Sequence, residues 1–131
     1  MYSEKISERF QSLKNAGMVT NADAVGQVGA IGTGDLVKVY LRIVDGVITD
    51  AKFKTLGNVY TLVASDVLCD LLKKRSIENA LLIKSEDILK ELDHGIPENK
   101  LKIVDLVQSV IADAIEDYHK KQAKAQLNAK K

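Results

Sequence analysis

Residues 36–55, LVKVYLRIVDGVITDAKFKT, carry the pattern of a β-hairpin. Apolar and polar side chains alternate from Leu36 onward, and Asp45-Gly46 is a dipeptide typical of tight hairpin turns. On the first strand, the side chains predicted to face the core are Val37, Val39, Leu41 and Ile43. On the return strand, from about Val47 to Thr55, they are Val47, Thr49, Ala51 and Phe53. This stretch predicts an antiparallel sheet with one solvated face.

Helical and strand patterns flank the hairpin on both sides. Ser3 is placed to cap a first helix that ends before Gly17, and residues 24–31 are predicted to form a short strand. After Gly57 the apolar spacing becomes helical, and Ser76 and Ser85 are each placed to cap a short helix. The clearest helical period is that of the last helix, which carries apolar residues up to Tyr118. The patterns predict an α+β fold: an N-terminal helix, a small antiparallel sheet, and C-terminal helices packed on one face.

The domain organisation and the class of protein follow from length and charge. A chain of 131 residues fits one domain, which we assign to residues 1–121, with a basic, solvated and fraying tail over residues 122–131. The formal net charge of +1 gives no field that would draw the chain to nucleic acid or to a membrane surface. No stretch is long and apolar enough to span a bilayer, and the first residues lack the apolar run of a signal peptide. We therefore expect a cytoplasmic protein with neither nucleic acid nor membrane as its partner.

The residue types of catalysis and metal binding are scarce. The glycines between Gly29 and Gly34 precede a strand, not a helix, so they do not form a phosphate-binding loop. Cys69, the single cysteine, is predicted to be a half-buried, inert thiol, and His94 and His119 are predicted to be surface residues. Basic residues on the polar face of the hairpin are interpreted as a solvated surface. Because no nucleophile with a partnered base is visible, we expect a protein that is not an enzyme.

Several motifs, in order along the chain, resemble those of the iron–sulfur cluster assembly scaffolds of the IscU type and the N-terminal domain of NifU. The similarity runs from Tyr2 to about Lys121. The segments that carry it are Tyr2–Lys5 (YSEK), Leu13–Gly17 in place of N-P-R-N-V-G, residues 28–38 against V-G-x-P-x-C-G-D-V-M-K, Ala51–Gly57 against A-x-F-K-T-x-G-C, Gly95–Lys100 against L-P-P-x-K, and Ala112–Tyr118 in the last helix. The resemblance implies a three-stranded antiparallel sheet with helices on one side.

The same resemblance implies that the cluster ligands are missing. Thr33, Asn58 and Ile103 stand where the family has its three cysteines, and Lys102 stands at the preceding histidine position. Asp35 is the one family site residue that is retained, and it is a weak candidate metal ligand. Iron–sulfur clusters are held by thiolates, which these side chains do not supply. We therefore expect no bound cofactor, although the family carries an iron–sulfur cluster.

What remains of the family's role is partner binding. The resemblance implies a cysteine desulfurase and an Hsp70-type chaperone as partners, and Ile96, Pro97 and Lys100 as partner-binding residues. Glu98 replaces the second proline of the chaperone-recognition segment. We predict a role in iron–sulfur biogenesis through protein binding. Two alternatives stay open: a former cluster pocket that binds a small ligand or an oxygen-ligated metal, and a structural subunit of a larger assembly. A second copy of the chain, in a homo-oligomer, is a further candidate partner.

Overall fold

A three-stranded antiparallel sheet with helices on one face forms the molecule, as predicted. The computed structural model describes residues 2–30, 32 and 34–129. The strands, which pair in the order β1-β2-β3, are β1 (Ala24–Ala30), β2 (Asp35–Val44) and β3 (Val47–Leu56). The helices are α1 (Glu4–Gln11), α2 (Val59–Leu72), α3 (Ile77–Ala80), α4 (Ser85–Glu91) and α5 (Leu101–Ala129), with a 3₁₀ turn over Glu98–Lys100 before α5.

The hydrophobic core lies between the sheet and the helices. The inward side chains of β2 are all buried, as the alternation predicts: Val37, Val39, Leu41 and Ile43. Two helices supply the opposite layer, α2 with residues such as Val63 and Val67, and α5 with residues such as Val107 and Ile111. Burial of apolar side chains at about 25 cal/mol per Å² is the main stabilising contribution to such a core.

The predicted alternation of β3 is wrong in its first half. Ile48 is fully buried and pairs with Ile43, whereas Val47 is 37% exposed and Thr49 is exposed. Arg42 pairs with Asp50, so Thr49 is an extra residue that bulges out of the ladder. A bulge of one residue exchanges the two faces of a strand. Ala51 and Phe53, beyond the bulge, are buried as predicted.

Helix boundaries are confirmed at two of the three predicted serine caps. Ser3 accepts a hydrogen bond from the Ile6 amide (3.2 Å), and Ser76 accepts one from the Asn79 amide (3.1 Å). Ser85 is instead the first residue of α4, and the Asp87 carboxylate accepts from the Lys84 amide (2.8 Å). The Ser85 hydroxyl donates to the Asp105 carboxylate instead (2.6 Å), and a hydrogen bond to a charged acceptor is a strong one.

The segment predicted to fray at the C-terminus is helical as far as Ala129. Its residues from 119 to 129 are exposed. Alanine, lysine and glutamine have high helix propensity, and Lys120–Glu116 and Lys121–Asp117 form ion pairs at the i,i+4 spacing that supports a helix. The helix therefore continues past the point where its apolar face ends.

Candidate functional site

The candidate site lies where β2 begins and α2 begins, next to each other. Leu36 of β2 pairs with Leu56 of β3, which places the preceding Asp35 beside Gly57 and the first turn of α2. A Cβ atom added to Gly57 would stand 2.8 Å from Asp35 Oδ1 and 2.7 Å from Thr61 Oγ1. Since carbon and oxygen atoms do not approach that closely, only glycine allows the aspartate and the threonine to meet here.

Asp35, Asn58 and Thr61 form a hydrogen-bonded group. Asn58 is the N-cap of α2, and its side-chain oxygen accepts from the amides of Tyr60 (2.9 Å) and Thr61 (3.2 Å). The Thr61 hydroxyl donates to Asp35 Oδ1 (3.1 Å). N-cap asparagine satisfies backbone amides that a helix leaves unpaired. The Asn58 side-chain oxygen therefore stabilises the N-terminus of α2.

A layer of hydroxyl groups on α2 and β3 lies next to this group and is hydrogen-bonded to it through Thr61. Thr61 and Ser65 are both fully buried. The Ser65 hydroxyl donates to the Thr61 carbonyl (2.8 Å), and the hydroxyls of Ser65 and Thr55 are 3.1 Å apart. Buried polar groups are tolerated when each has a partner. The hydroxyl layer fixes the start of α2 against β3.

Lys102 and Ile103, which resemble two further cluster-site positions, are not joined to this group. Thr33 lies outside the described residues. On α5, Lys102 is exposed, while Ile103 is half-buried and packs against the hydrophobic core. Asp105, two residues further on, accepts a hydrogen bond from Ser85 (2.6 Å). Among the described residues, no hydrogen bond or ion pair connects Lys102 or Ile103 to Asp35 or Asn58.

Cys69 is more deeply buried than the predicted half-buried thiol. Its side chain has no exposed surface, and it belongs to the core on α2. Desolvation by burial raises the pKa of the Cys69 thiol, and the charge of Asp66 raises it further. A thiol of this kind stays protonated at neutral pH, and protonated thiols are poor nucleophiles and metal ligands.

The residues at this site do not fit an iron–sulfur cluster. Clusters need thiolate ligands, and the sequence has a single cysteine, which is enclosed in the core. In the part of the chain that the structure describes, no group of three histidine, cysteine, aspartate or glutamate side chains is arranged to hold a metal ion. Asp35 Oδ1 and the side-chain oxygen of Asn58 already accept hydrogen bonds from α2.

The predicted partner-binding residues share one loop but differ in exposure. Ile96 is 5% exposed and packs in the core, while Pro97 is exposed and Lys100 is half-exposed. Gly95 lies against the N-terminal helix, because a Cβ at this residue would stand 2.4 Å from the Ser3 hydroxyl. His94 Nε2 lies at hydrogen-bond distance, 2.8 Å, from Glu86 Oε1. Pro97 and Lys100 are therefore the members of the predicted set that reach the surface.

The open face of the sheet combines basic and apolar side chains. Lys38 pairs with Lys54 across β2 and β3, and the Lys38 ammonium lies 5.4 Å from the centre of the Tyr40 ring. Leu56, 57% exposed, belongs to the same face. A cleft of about 690 Å³ runs along it. The sequence indicated the basic residues. Leu36 at the start of β2 and Leu56 at the end of β3, which pair with each other, were the available signal for the apolar part.

The sequence interpretation missed a buried charge network between α1 and α2. Asp66, fully buried, accepts from the amides of Lys14 (2.9 Å) and Asn15 (2.8 Å) and lies 2.7 Å from Arg9 Nε. The Arg9 guanidinium also pairs with Asp70. Asp66 lies in the middle of an apolar helix, and that position was the available signal. The network attaches α1 and the following segment to the core.

The chain is similar in sequence to known iron–sulfur cluster assembly scaffold proteins. The family model described as the NifU-like N-terminal domain matches residues 1–125. The scaffold protein IscU 1 of Archaeoglobus fulgidus is 36% identical over 124 residues, which cover 95% of this chain and 80% of that protein. IscU of Escherichia coli is 35% identical over 124 residues, covering 92% and 95%. The chain belongs to the NifU-like N-terminal domain family.

Solved structures support the same fold. A candidate scaffold protein of the SUF system from Fervidobacterium islandicum superposes with a TM-score of 0.71 at 20% identity, over 87% of this chain and 96% of that one. The N-terminal part of a NifU-like protein from Brucella abortus gives a TM-score of 0.68 at 20% identity, over 91% and 94%. Of the helices in the described part of the chain, none is long and apolar enough to cross a membrane.

Proposed function

We propose that this chain is a non-enzymatic accessory protein of iron–sulfur biogenesis in the cytoplasm, which acts by binding partners and does not hold a cluster in the family manner. Its relatives are named as scaffolds for cluster assembly. The fold that positions a scaffold's surfaces is retained here, while the thiolates are absent. A protein of this kind competes with an active scaffold, or assists it, at a shared partner.

One observation carries the proposal: the side chain of Asn58 caps α2. This position resembles the second family cysteine, and its oxygen accepts from two backbone amides of the helix. A ligand drawn away from this role would leave both amides without an acceptor. Loss of an N-cap destabilises a helix by about 0.5–2 kcal/mol, so a metal bound here would act against the fold.

The proposed partners are a cysteine desulfurase and an Hsp70-type chaperone. Pro97 and Lys100 reach the surface in the loop that resembles the chaperone-recognition segment. Glu98 is also exposed there and places a negative charge between them. We expect this charge to weaken a chaperone contact more than the desulfurase contact, because the loop resembles the chaperone-recognition segment of the family.

Anaerobic reconstitution with iron, sulfide and a cysteine desulfurase tests the loss of cluster binding. We expect the wild-type protein to stay colourless and free of iron after desalting. The matched variant restores the three family positions as Thr33→Cys, Asn58→Cys and Ile103→Cys, and it should gain visible cluster absorption. Near-stoichiometric iron and a stable absorption band on the wild-type protein would refute the proposal.

Calorimetric titration tests partner binding separately. We expect the wild-type chain to bind a cysteine desulfurase with micromolar affinity or better, and to compete with an active scaffold for it. For the chaperone, Pro97→Ala and Lys100→Ala should each weaken binding, with the exposed Lys90→Ala as the matched control. Absence of binding to both proteins would leave the fold assignment intact and overturn the proposed role.

A further inference from the structure

The outer edge of β1 is closed by side chains of α5. The Val25 amide donates to Asp117 Oδ2 and the Gln27 amide donates to Asp113 Oδ2, each at 2.8 Å. These amides point away from β2, because alternate residues of an edge strand face outward. Asp113 and Asp117 are four residues apart and lie on one side of the helix. Two carboxylates of one helix therefore occupy the positions that a neighbouring strand would take.

The other edge of the sheet is closed differently, by backbone pairing. The Gly17 amide donates to the Phe53 carbonyl (2.8 Å) and the Phe53 amide to the Asn15 carbonyl (2.9 Å). At the far end of β3, Ile48 exchanges backbone hydrogen bonds with Lys74 and Arg75. The edge of β3 thus has neighbouring chain segments along it, whereas Val25 and Gln27 depend on the two aspartates.

Close packing between α5 and β1 holds the helix where Asp113 and Asp117 can accept hydrogen bonds from the β1 amides. Gly26 lies between the two donors, and a Cβ atom there would stand 2.8 Å from the Val110 carbonyl oxygen and 2.8 Å from Ala114 Cβ. The helix backbone can approach the strand only because this residue has no side chain. Lys121 pairs with Asp117 at 2.8 Å and keeps that carboxylate oriented along the helix.

The sequence of β1 offers no protection of its own. AVGQVGA contains no charged residue and no proline, which are the usual means by which edge strands avoid pairing with other chains. We infer that Asp113 and Asp117 block the edge of β1 by occupying its outward amides, and that they thereby prevent β1 from pairing with β1 of a second copy. A second copy fits this edge because two identical uncharged strands can pair antiparallel across a two-fold axis.

Residue-resolved hydrogen exchange and sedimentation, both on the full chain, test whether Asp113 and Asp117 block the edge of β1. In the variant Asp113→Ala/Asp117→Ala, the Val25 and Gln27 amides should exchange about tenfold to a hundredfold faster, as the loss of a hydrogen bond to a charged group implies. The amides of the β2–β3 hairpin serve as the internal reference. The matched control is Glu116→Ala, which removes an exposed acid of α5 that pairs with Lys120 and does not contact β1.

Self-association is the second readout. The double alanine variant should form a concentration-dependent dimer, while the wild-type protein and Glu116→Ala keep their original state of association. The variant Asp113→Asn/Asp117→Asn retains a neutral acceptor of the same shape, so it should fold and show a smaller increase in exchange. Unchanged exchange at Val25 and Gln27, or no added self-association when exchange rises, would overturn the inference.

Discussion

At the scale of single residues, Asn58 combines a position that resembles a family cysteine with a structural role. Its side chain accepts hydrogen bonds from the amides of Tyr60 and Thr61 and so stabilises the start of α2. Gly57 allows the close approach between Asp35 and Thr61 beside it. A cysteine sulfur could bind iron, whereas the amide oxygen of Asn58 accepts hydrogen bonds.

Replacing this cap gives the first prediction. Asn58→Ala should lower the free energy of unfolding by about 1 kcal/mol, because the amides of Tyr60 and Thr61 lose their acceptor. Urea denaturation measures the change. Asn58→Ser is the matched control, since serine is also a favourable N-cap and should cost much less. Equal losses in both variants would show that the side chain stabilises the protein by some other contact.

At the scale of elements, the network of Arg9, Asp66 and Asp70 attaches α1 to α2. Breaking a buried ion pair leaves a charge without a partner, which is why such pairs are costly to disrupt. Desolvation opposes ionisation of Asp70, but the hydrogen bonds from Asn15, Arg9 and Lys14 outweigh it, so the pKa of Asp70 is lowered. Its ionised form therefore stabilises the folded state.

This lowered pKa predicts acid sensitivity. A group with a depressed folded-state pKa contributes stability above its unfolded value, 3.8 for Asp70, and loses it as the pH falls through the folded value. We expect the free energy of unfolding to decrease below about pH 4. Asp70→Asn should be less stable at neutral pH and have a flatter profile between pH 4 and 2. Parallel profiles of variant and wild type would contradict this.

The elements also show what the sequence could predict. The inward face of β2, the capping by Ser3 and Ser76, and the order of elements follow from local periodicity and cap chemistry, which a single segment contains. The bulge at Thr49 was not predictable in this way, because it depends on how β3 pairs with β2. The role of Asp66 was missed for a similar reason, since its partners lie 51 and 52 residues away in the chain.

In the candidate site, as in the fold, local features were predictable from the sequence and contacts between elements were not. The sequence indicated which residues resemble the family's ligand positions, because motif order and spacing are local properties. It did not indicate that Asn58 caps α2 or that Thr61 bonds to Asp35, because both contacts depend on where β2 lies beside the start of the helix. It also did not indicate that Ile96 is buried while Pro97 is exposed. Contacts between elements, which the sequence alone does not show, decide which of the candidate residues form a site.

At the scale of the whole molecule, the sheet has one face in the core, one face open, and edges that other segments cover. The open face carries Lys38, Lys54 and Tyr40, with the exposed Leu56 beside them. Covered edges leave partners to bind through faces and loops, which agrees with the proposed use of the loop around Pro97. The long helix α5 supplies residues to the core and also covers the edge of β1.

Truncation tests which part of α5 the fold needs. Residues 122–129 are helical and exposed, so removing residues 122–131 should change the free energy of unfolding by less than about 0.5 kcal/mol. Ending the chain after Ala112 instead removes the buried Ala114 and Ile115 together with Asp113 and Asp117, and this form should not fold stably. Thermal denaturation followed by circular dichroism distinguishes the two forms. A large loss of stability in the shorter truncation would place the end of the domain beyond residue 121 and assign a structural role to the exposed turns of the helix.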